Sequence, residues 1–385
     1  MKLTNWKNFI SADIILKSRI FIVGPNASGK SNLLDVLRFL HDIAKPGGGL
    51  FSAIEQRGGI SKIRCLSARN DPIVRIEIHM EETGKNPKKW IYSLAIAQQP
   101  HGRHEPYIES EKVECDGKLV ISRPNDKDQK DIALLSQTHL EQISANIKFR
   151  ELVQFFTEIR YFHLVPQLIR HSQAFTGPNI PEDPYGRNFL ELLAKTTNPT
   201  RNSRLKKIEK ELKIFVPHLT ALSFTTDKLG IPHLEARYEH WRPNAGKQRE
   251  DQFSDGTLRL IGLFWSLLEP RDSPLLLEEP ELSLHVEIIR RLPSIIHEID
   301  RSSKRKRGQI FISTHSADLI SDKSIGGEEV IILTPESEST IISIASSNKQ
   351  IRLLLDSGLS IGDIITQFSA PSGIVQTDLN KYYHE

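Results

Sequence analysis

The stretch Ile20-Phe21-Ile22-Val23-Gly24-Pro25-Asn26-Ala27-Ser28-Gly29-Lys30-Ser31, continuing into Asn32-Leu33-Leu34-Asp35-Val36-Leu37, decides how the rest of the chain is read. An apolar run of strand type ends at Gly24, Gly29 and Lys30-Ser31 follow at the G-x-x-x-x-G-K-S spacing, and a helical pattern begins at once. Glycines let the backbone curl until successive N–H groups point at phosphate oxygens, and the following helix adds the positive end of its dipole. Lys30 is placed to reach the β- and γ-phosphates and Ser31 to ligate magnesium. The chain is expected to bind a nucleoside triphosphate here, with Gly24, Pro25, Asn26, Ala27, Ser28, Gly29, Lys30, Ser31 and Asn32 as the contacting residues.

The composition leaves room for that site and argues for little else. The 385 residues are 38% hydrophobic and 26% charged, ordinary values for a globular chain that can hold one large domain or two. A net charge of +3 is too small to point to nucleic acid by itself. Cys65 and Cys115 are the two cysteines, too few for a disulfide framework or a C-x-x-C metal site, which is a reduced-compartment pattern. The opening residues Met1 to Lys7 carry no apolar export core, and no run approaches the roughly 18 residues that span a bilayer. A cytoplasmic chain without membrane contact is expected.

Outward from the loop, Lys2 to Val23 reads as strands, and Lys45-Pro46-Gly47-Gly48-Gly49 ends the first helix. Ile73 to Met80 alternates with period two, and Trp90 to Ala97 and Lys112 to Ile121 continue the strand pattern. From about Asp131 the spacing turns helical, with Leu134, Leu135, Leu140, Ile143 and Ile147 near one stripe and Leu152, Phe155, Phe156 and Ile159 on the next. A second helical block covers Arg187 to Leu193 and Arg201 to Val216. Strands return at Ala221 to Thr225 and His233 to Tyr238. The expected architecture is α/β: a mixed-sheet first lobe over 1–125, a helical inserted arm over 126–218, and a second lobe over 219–385.

The second lobe carries the rest of a nucleotide site. Pro274-Leu275-Leu276-Leu277-Glu278-Glu279-Pro280 is an apolar strand delivering two acids to a pocket mouth. Glu278 would hold magnesium through water, and Glu279 would orient the water that attacks the γ-phosphate. Gln309 to Ser316 is another buried strand ending in His315, where a neutral imidazole could hydrogen-bond a γ-phosphate. Phe253-Ser254-Asp255-Gly256-Thr257 opens a very apolar helix whose start is a second anion site, capped by Ser254. One nucleotide does not need two such sites in one chain, but a dimer does, with each helix start completing its partner's pocket.

Taken in order, these residues resemble the ABC-class ATPases of the RecF, structural-maintenance-of-chromosomes (SMC) and OLD type. Trp6-Lys7-Asn8-Phe9 matches the lead-in, Gly24 to Ser31 Walker A and Phe253 to Arg259 the signature. Leu275 to Glu279 matches Walker B, Glu281-Leu282-Ser283-Leu284-His285 the D-loop, and Thr314-His315-Ser316 the switch histidine. The resemblance implies a P-loop ATPase head with ATP and Mg2+ as cofactors. It makes Glu279 the catalytic acid, aided by His315 and Lys30, with Ser254 and Gly256 on the γ-phosphate across a homodimer and Ser283 at the dimer seam. Ser31, Glu278 and a Q-loop glutamine would attend the metal; Gln167 is the candidate and Gln56 the alternative. Glu278 departs from the family, which usually has aspartate there.

Three functions compete. The leading one is an ATP-gated dimer that senses or clamps DNA, or controls a separately encoded effector such as a nuclease, in DNA repair or anti-phage defence. The basic stretches Arg201, Arg204, Lys206, Lys207, Lys210 and Lys213, and Lys304 to Arg307, are the candidate DNA contacts. The second is the nucleotide-binding subunit of a transporter, against which stands the signature Phe-Ser-Asp-Gly-Thr in place of L-S-G-G-Q. The third is an ATP-dependent scaffold that scarcely turns over, motivated by Glu278.

Overall fold

A computed structural model describes residues 1–68, 71–82, 87–99, 104–172, 183–239, 246–301 and 308–369. Its centre is a six-stranded sheet in the order Thr340–Ile344, Val330–Pro335, Arg19–Val23, Ile310–Thr314, Leu275–Glu278, Arg160–Phe162. The last five are parallel, and Thr340–Ile344 closes one edge antiparallel. Parallel strands covered on both faces are buried on both sides, as Arg19–Val23 and Ile310–Thr314 are at every position, with residues 20–23 and 310–312 apolar throughout.

Alternation along those strands sorts the molecule into two cores. Ile20, Ile22, Leu276 and Phe311 face one core with Trp6, Phe39, Leu40, Tyr92 and Phe156, while Phe21, Val23, Leu275, Leu277, Ile310 and Ile312 face another with Leu263, Phe264 and Trp265. The first core is closed by a six-stranded antiparallel sheet, ordered Phe9–Asp13, Lys2–Trp6, Val74–Glu81, Lys89–Gln98, Pro106–Cys115, Lys118–Arg123. The second is closed by the apolar helix Asp255–Leu268 and a three-stranded sheet of Lys247–Arg249, Pro232–Tyr238 and Leu219–Thr226.

Three expectations are corrected. The stretch read as one strand from Lys112 to Ile121 is two, folded back at Asp116-Gly117, where both φ angles are positive (52° and 75°). Residues 126–218 do not stand out as an inserted arm. Leu135, Leu140, Phe149, Leu152 and Phe156 cover the first core, Arg160–Phe162 adds the edge strand to the central sheet, and Leu193, Leu205, Ile208 and Leu212 cover the second. An apolar stripe must find a partner, and here the two exposed faces of the sheet supply it. The stripe from Leu134 to Ile147 is not a helix either: it contains 3-10 turns at Ile132–Ser136 and Ile147–Phe149, with Ile143 and Ile147 exposed at 74% and 69%. The segment is held by the buried Arg123, whose guanidinium meets Glu111 at 3.1 Å and Asp128 at 2.8 Å and donates to the carbonyls of Leu134 (2.8 Å) and Gln137 (2.7 Å).

Candidate active site

The sheet register brings the site together. Glu278 is level with Ser313, and Ser313 and Thr314 are level with Ile22 and Val23, so the Gly24 loop, Glu279 and His315 all leave the sheet at one carboxyl edge. The loop runs into the helix Lys30–Ala44, whose first turn carries no acid and leaves its N–H groups free for an anion. Gly29 starts it at φ +96°, and a Cβ there would lie 2.1 Å from Asn8 Nδ2. A Cβ on Gly24 would lie 2.6 Å from Ser28 Oγ and 2.7 Å from the Leu333 carbonyl oxygen. Lys30 Nζ donates to the Gly24 (2.9 Å) and Pro25 (3.1 Å) carbonyls, spanning the loop. Burial holds its pKa below the usual lysine value, against the opposing pull of Glu279, Glu281 and Glu278. Ser28 Oγ is buried and without a hydrogen-bond partner among the described residues.

The acids follow. Ser31 Oγ donates to Glu278 Oε1, and the Tyr161 hydroxyl donates to Glu278 Oε2. Burial, then Glu278 itself, pushes the Tyr161 phenol well above its ordinary range, so it stays a donor. Glu279 takes a left-handed backbone (φ 44°), its N–H on Ser313 O at 3.0 Å and its carboxylate 3.1 Å from His315 Nδ1. Such a conformation at a non-glycine residue costs on the order of 1–3 kcal/mol and is kept where the chemistry needs the side chain re-aimed. Glu281 is buried behind them, accepting from Thr314 Oγ1, and burial raises its pKa.

Ser254 caps the helix Asp255–Leu268, accepting from Thr257 N at 3.1 Å, and is itself exposed. Gly256 packs against the D-loop: a Cβ there would meet the Ser283 carbonyl oxygen at 2.9 Å, and Ser283 is again left-handed at φ 63°.

The structure places the Gln167 side chain on the signature helix. Its Nε2 donates to Asp255 at 2.8 Å, beside Arg170 at 2.6 Å, so it braces the signature helix. Gln56, the alternative, is exposed and bonded to Ser52 at 3.2 Å. A glutamine is recognised by sequence only through its neighbours, and the run before Gln167 leads to a helix instead of the pocket. The Asn32 side chain is also committed elsewhere, its Nδ2 donating to Asn8 Oδ1 at 2.8 Å. Asn8 further donates to Ser28 O at 3.0 Å and Thr340 Oγ1 at 2.7 Å, so it clamps the loop from behind. Asn8, named only within the lead-in, and Tyr161 are the residues whose roles sequence reasoning passed over; an amide in the turn between the first two strands and a phenol in an edge strand carry no motif.

Of the basic stretch on Asn198–Leu212, Arg201 and Arg204 are structural. Arg201 is buried with its guanidinium 3.9 Å from the Phe224 ring centroid, and Arg204 lies 4.9 Å from that of Trp265 and 3.4 Å from Glu269. Lys206, Lys207, Lys210 and Lys213 are exposed. Lys304 to Arg307 lie outside the described residues.

The donor set fits magnesium: a serine hydroxyl and a carboxylate, hard oxygens already in contact, beside a loop shaped for phosphates that supply the remaining ligands.

A solved structure shares this fold. A solved SMC head bound to the C-winged helix domain of ScpA superposes with a TM-score of 0.52 at 14% identity, covering 89% of this chain and 96% of that one. The SMC head domain from Thermotoga maritima gives 0.46 at 16% identity, over 89% and 97% of the two chains. The Pyrococcus furiosus Smc head with an extended coiled coil bound to the C-terminal domain of ScpA gives 0.48 at 13%, over 92% and 98%. No curated protein matches the chain. The fold is that of an SMC-like, ABC-class P-loop ATPase head. The family model described as "AAA domain, putative AbiEii toxin, Type IV TA system" matches residues 19–322, and the chain belongs to that family of ATP-binding ATPases.

Proposed function

We propose that the chain is an ATP-hydrolysing switch: two copies close around two Mg-ATP molecules, and a separately encoded effector reads the closed state. The observation that carries the reading is the meeting, at one sheet edge, of the Lys30 loop, the Ser31–Glu278 contact and the Glu279–His315 pair. Lys30 exchanges two neutral loop carbonyls for anionic β- and γ-phosphate oxygens, whose opposite charge makes the stronger hydrogen bonds. Ser31 and Glu278 hold the metal, which when bound neutralises phosphate charge as it develops. Glu279 accepts a proton from the attacking water, and His315, its Nδ1 3.1 Å away, fixes the Glu279 carboxylate. Ser254 and Gly256 of each copy present free helix N–H groups to the nucleotide of the other.

That an SMC head of the same fold is solved with the winged-helix domain of ScpA supports a partner protein as the reader of the switch. A role for the chain in DNA repair or anti-phage defence, a cytoplasmic location, and DNA as a further ligand at Lys206, Lys207, Lys210 and Lys213 belong to the same proposal. DNA affinity that stays flat between low and moderate salt would exclude those lysines.

Turnover tests the reading. Wild type should hydrolyse ATP, and Glu279→Gln should lose about 10²- to 10⁴-fold in rate while keeping its nucleotide affinity. A variant as fast as wild type removes Glu279 from the chemistry, and a wild type that binds no nucleotide removes the site.

A further inference from the structure

Glu278 is one methylene longer than an aspartate in the same place would be, so its carboxylate has an extra torsion to fix before it can hold a metal. The structure contains a device that fixes it. Ser31 Oγ donates to one carboxylate oxygen and the Tyr161 hydroxyl to the other. Tyr161 stands on the edge strand Arg160–Phe162, directly opposite Leu276 on the parallel strand that ends in Glu278. Its ring is covered by the Arg38 guanidinium, 3.9 Å from the ring centroid. Arg38 lies about two turns beyond Ser31 on the same helix. One helix therefore contributes the hydroxyl on Oε1 and the cation that seats the phenol on Oε2.

We propose that Tyr161 is a positioning residue that makes Glu278 a one-oxygen magnesium holder. With Oε2 taken by Tyr161, only Oε1 is turned to the Ser31 side, where the metal would sit. Magnesium demands near-ideal octahedral geometry, whereas calcium accepts a carboxylate through both oxygens. Tyr161 thus sets both affinity and the choice between the two ions. The proposal rests on the ATPase reading above.

The test is metal binding, read apart from turnover. Mn2+ affinity of the protein–ATPγS complex is measured by electron paramagnetic resonance, with Mg2+ and Ca2+ as competitors, alongside ATPγS affinity in EDTA. Tyr161→Phe keeps the ring and its arginine, and its unfolding midpoint should match wild type. It is expected to weaken Mn2+ and Mg2+ binding about tenfold, the low end for loss of a group that orients a metal ligand. It should shift the competition toward Ca2+ and leave the EDTA affinity unchanged. In the Glu278→Asp background, where the carboxylate stops roughly a bond length short of the phenol, the same substitution should change metal affinity by less than about twofold. An equal effect in both backgrounds, or unchanged metal affinity in Tyr161→Phe, overturns the proposal. Failure of the wild type to bind ATPγS at all would overturn the ATPase reading instead.

Discussion

Asn8 and Gly29 offer a quantitative test of how the phosphate loop is held. Alanine at Gly29 meets two obstacles: a φ of +96°, and a Cβ 2.1 Å from Asn8 Nδ2 and 2.6 Å from Asn8 Oδ1. The left-handed backbone costs an L-residue about 1–2 kcal/mol. Relieving the clash forces the Asn8 amide away and breaks its bonds to Ser28 O, Thr340 Oγ1 and Asn32 Nδ2. At about 0.5–1.5 kcal/mol net for each, the total reaches roughly 3–6 kcal/mol, or at least a hundredfold in nucleotide affinity if binding must restore the loop. Asn8→Ala alone should lose only the hydrogen-bond share. The informative variant is the double substitution. With Asn8 already shortened the clash is gone, so Gly29→Ala then adds only its backbone cost, and the combined loss falls well short of the sum of the two singles. The assay is titration with a fluorescent ATP analogue on all four proteins. Strict additivity would refute the clamp.

Arg123→Ala leaves the fully buried Glu111 and its neighbour Asp128 without their cation, and should destabilise the antiparallel lobe by about 3–5 kcal/mol in urea unfolding. Gly256→Ala drives a Cβ to within 2.9 Å of Ser283 O on a helix that otherwise favours alanine; unfolding should change little while ATP-dependent self-association weakens, measured by light scattering. Burial alone would raise the Asp35 carboxyl, but the hydrogen bonds and charge of Arg57, with Lys7, outweigh it and leave the pKa below the ordinary range. Its stabilisation is therefore complete above the ordinary aspartate pKa of about 4 and drains away as pH falls below it, so acid unfolding of Asp35→Asn should depend less steeply on pH.

What sequence alone could read here follows from locality. The strand–loop–helix around Gly24, the Glu278-Glu279 strand end and the Ser254 cap are each specified within about a dozen residues, and each forms where its pattern placed it. Gln167 and the stripe from Leu134 to Ile147 failed for a common reason. Their roles depend on Asp255 and on Arg123, distant in sequence, which no periodicity reports. The same holds for the Tyr161–Glu278 bond, joining residues 117 apart.

The central claim is that ATP joins two copies. Glu279→Gln, unable to complete hydrolysis, should run at twice the 43.8 kDa monomer mass in light scattering when saturated with Mg-ATP, and at the monomer mass without nucleotide. A variant that binds Mg-ATP and stays monomeric at every concentration would contradict it.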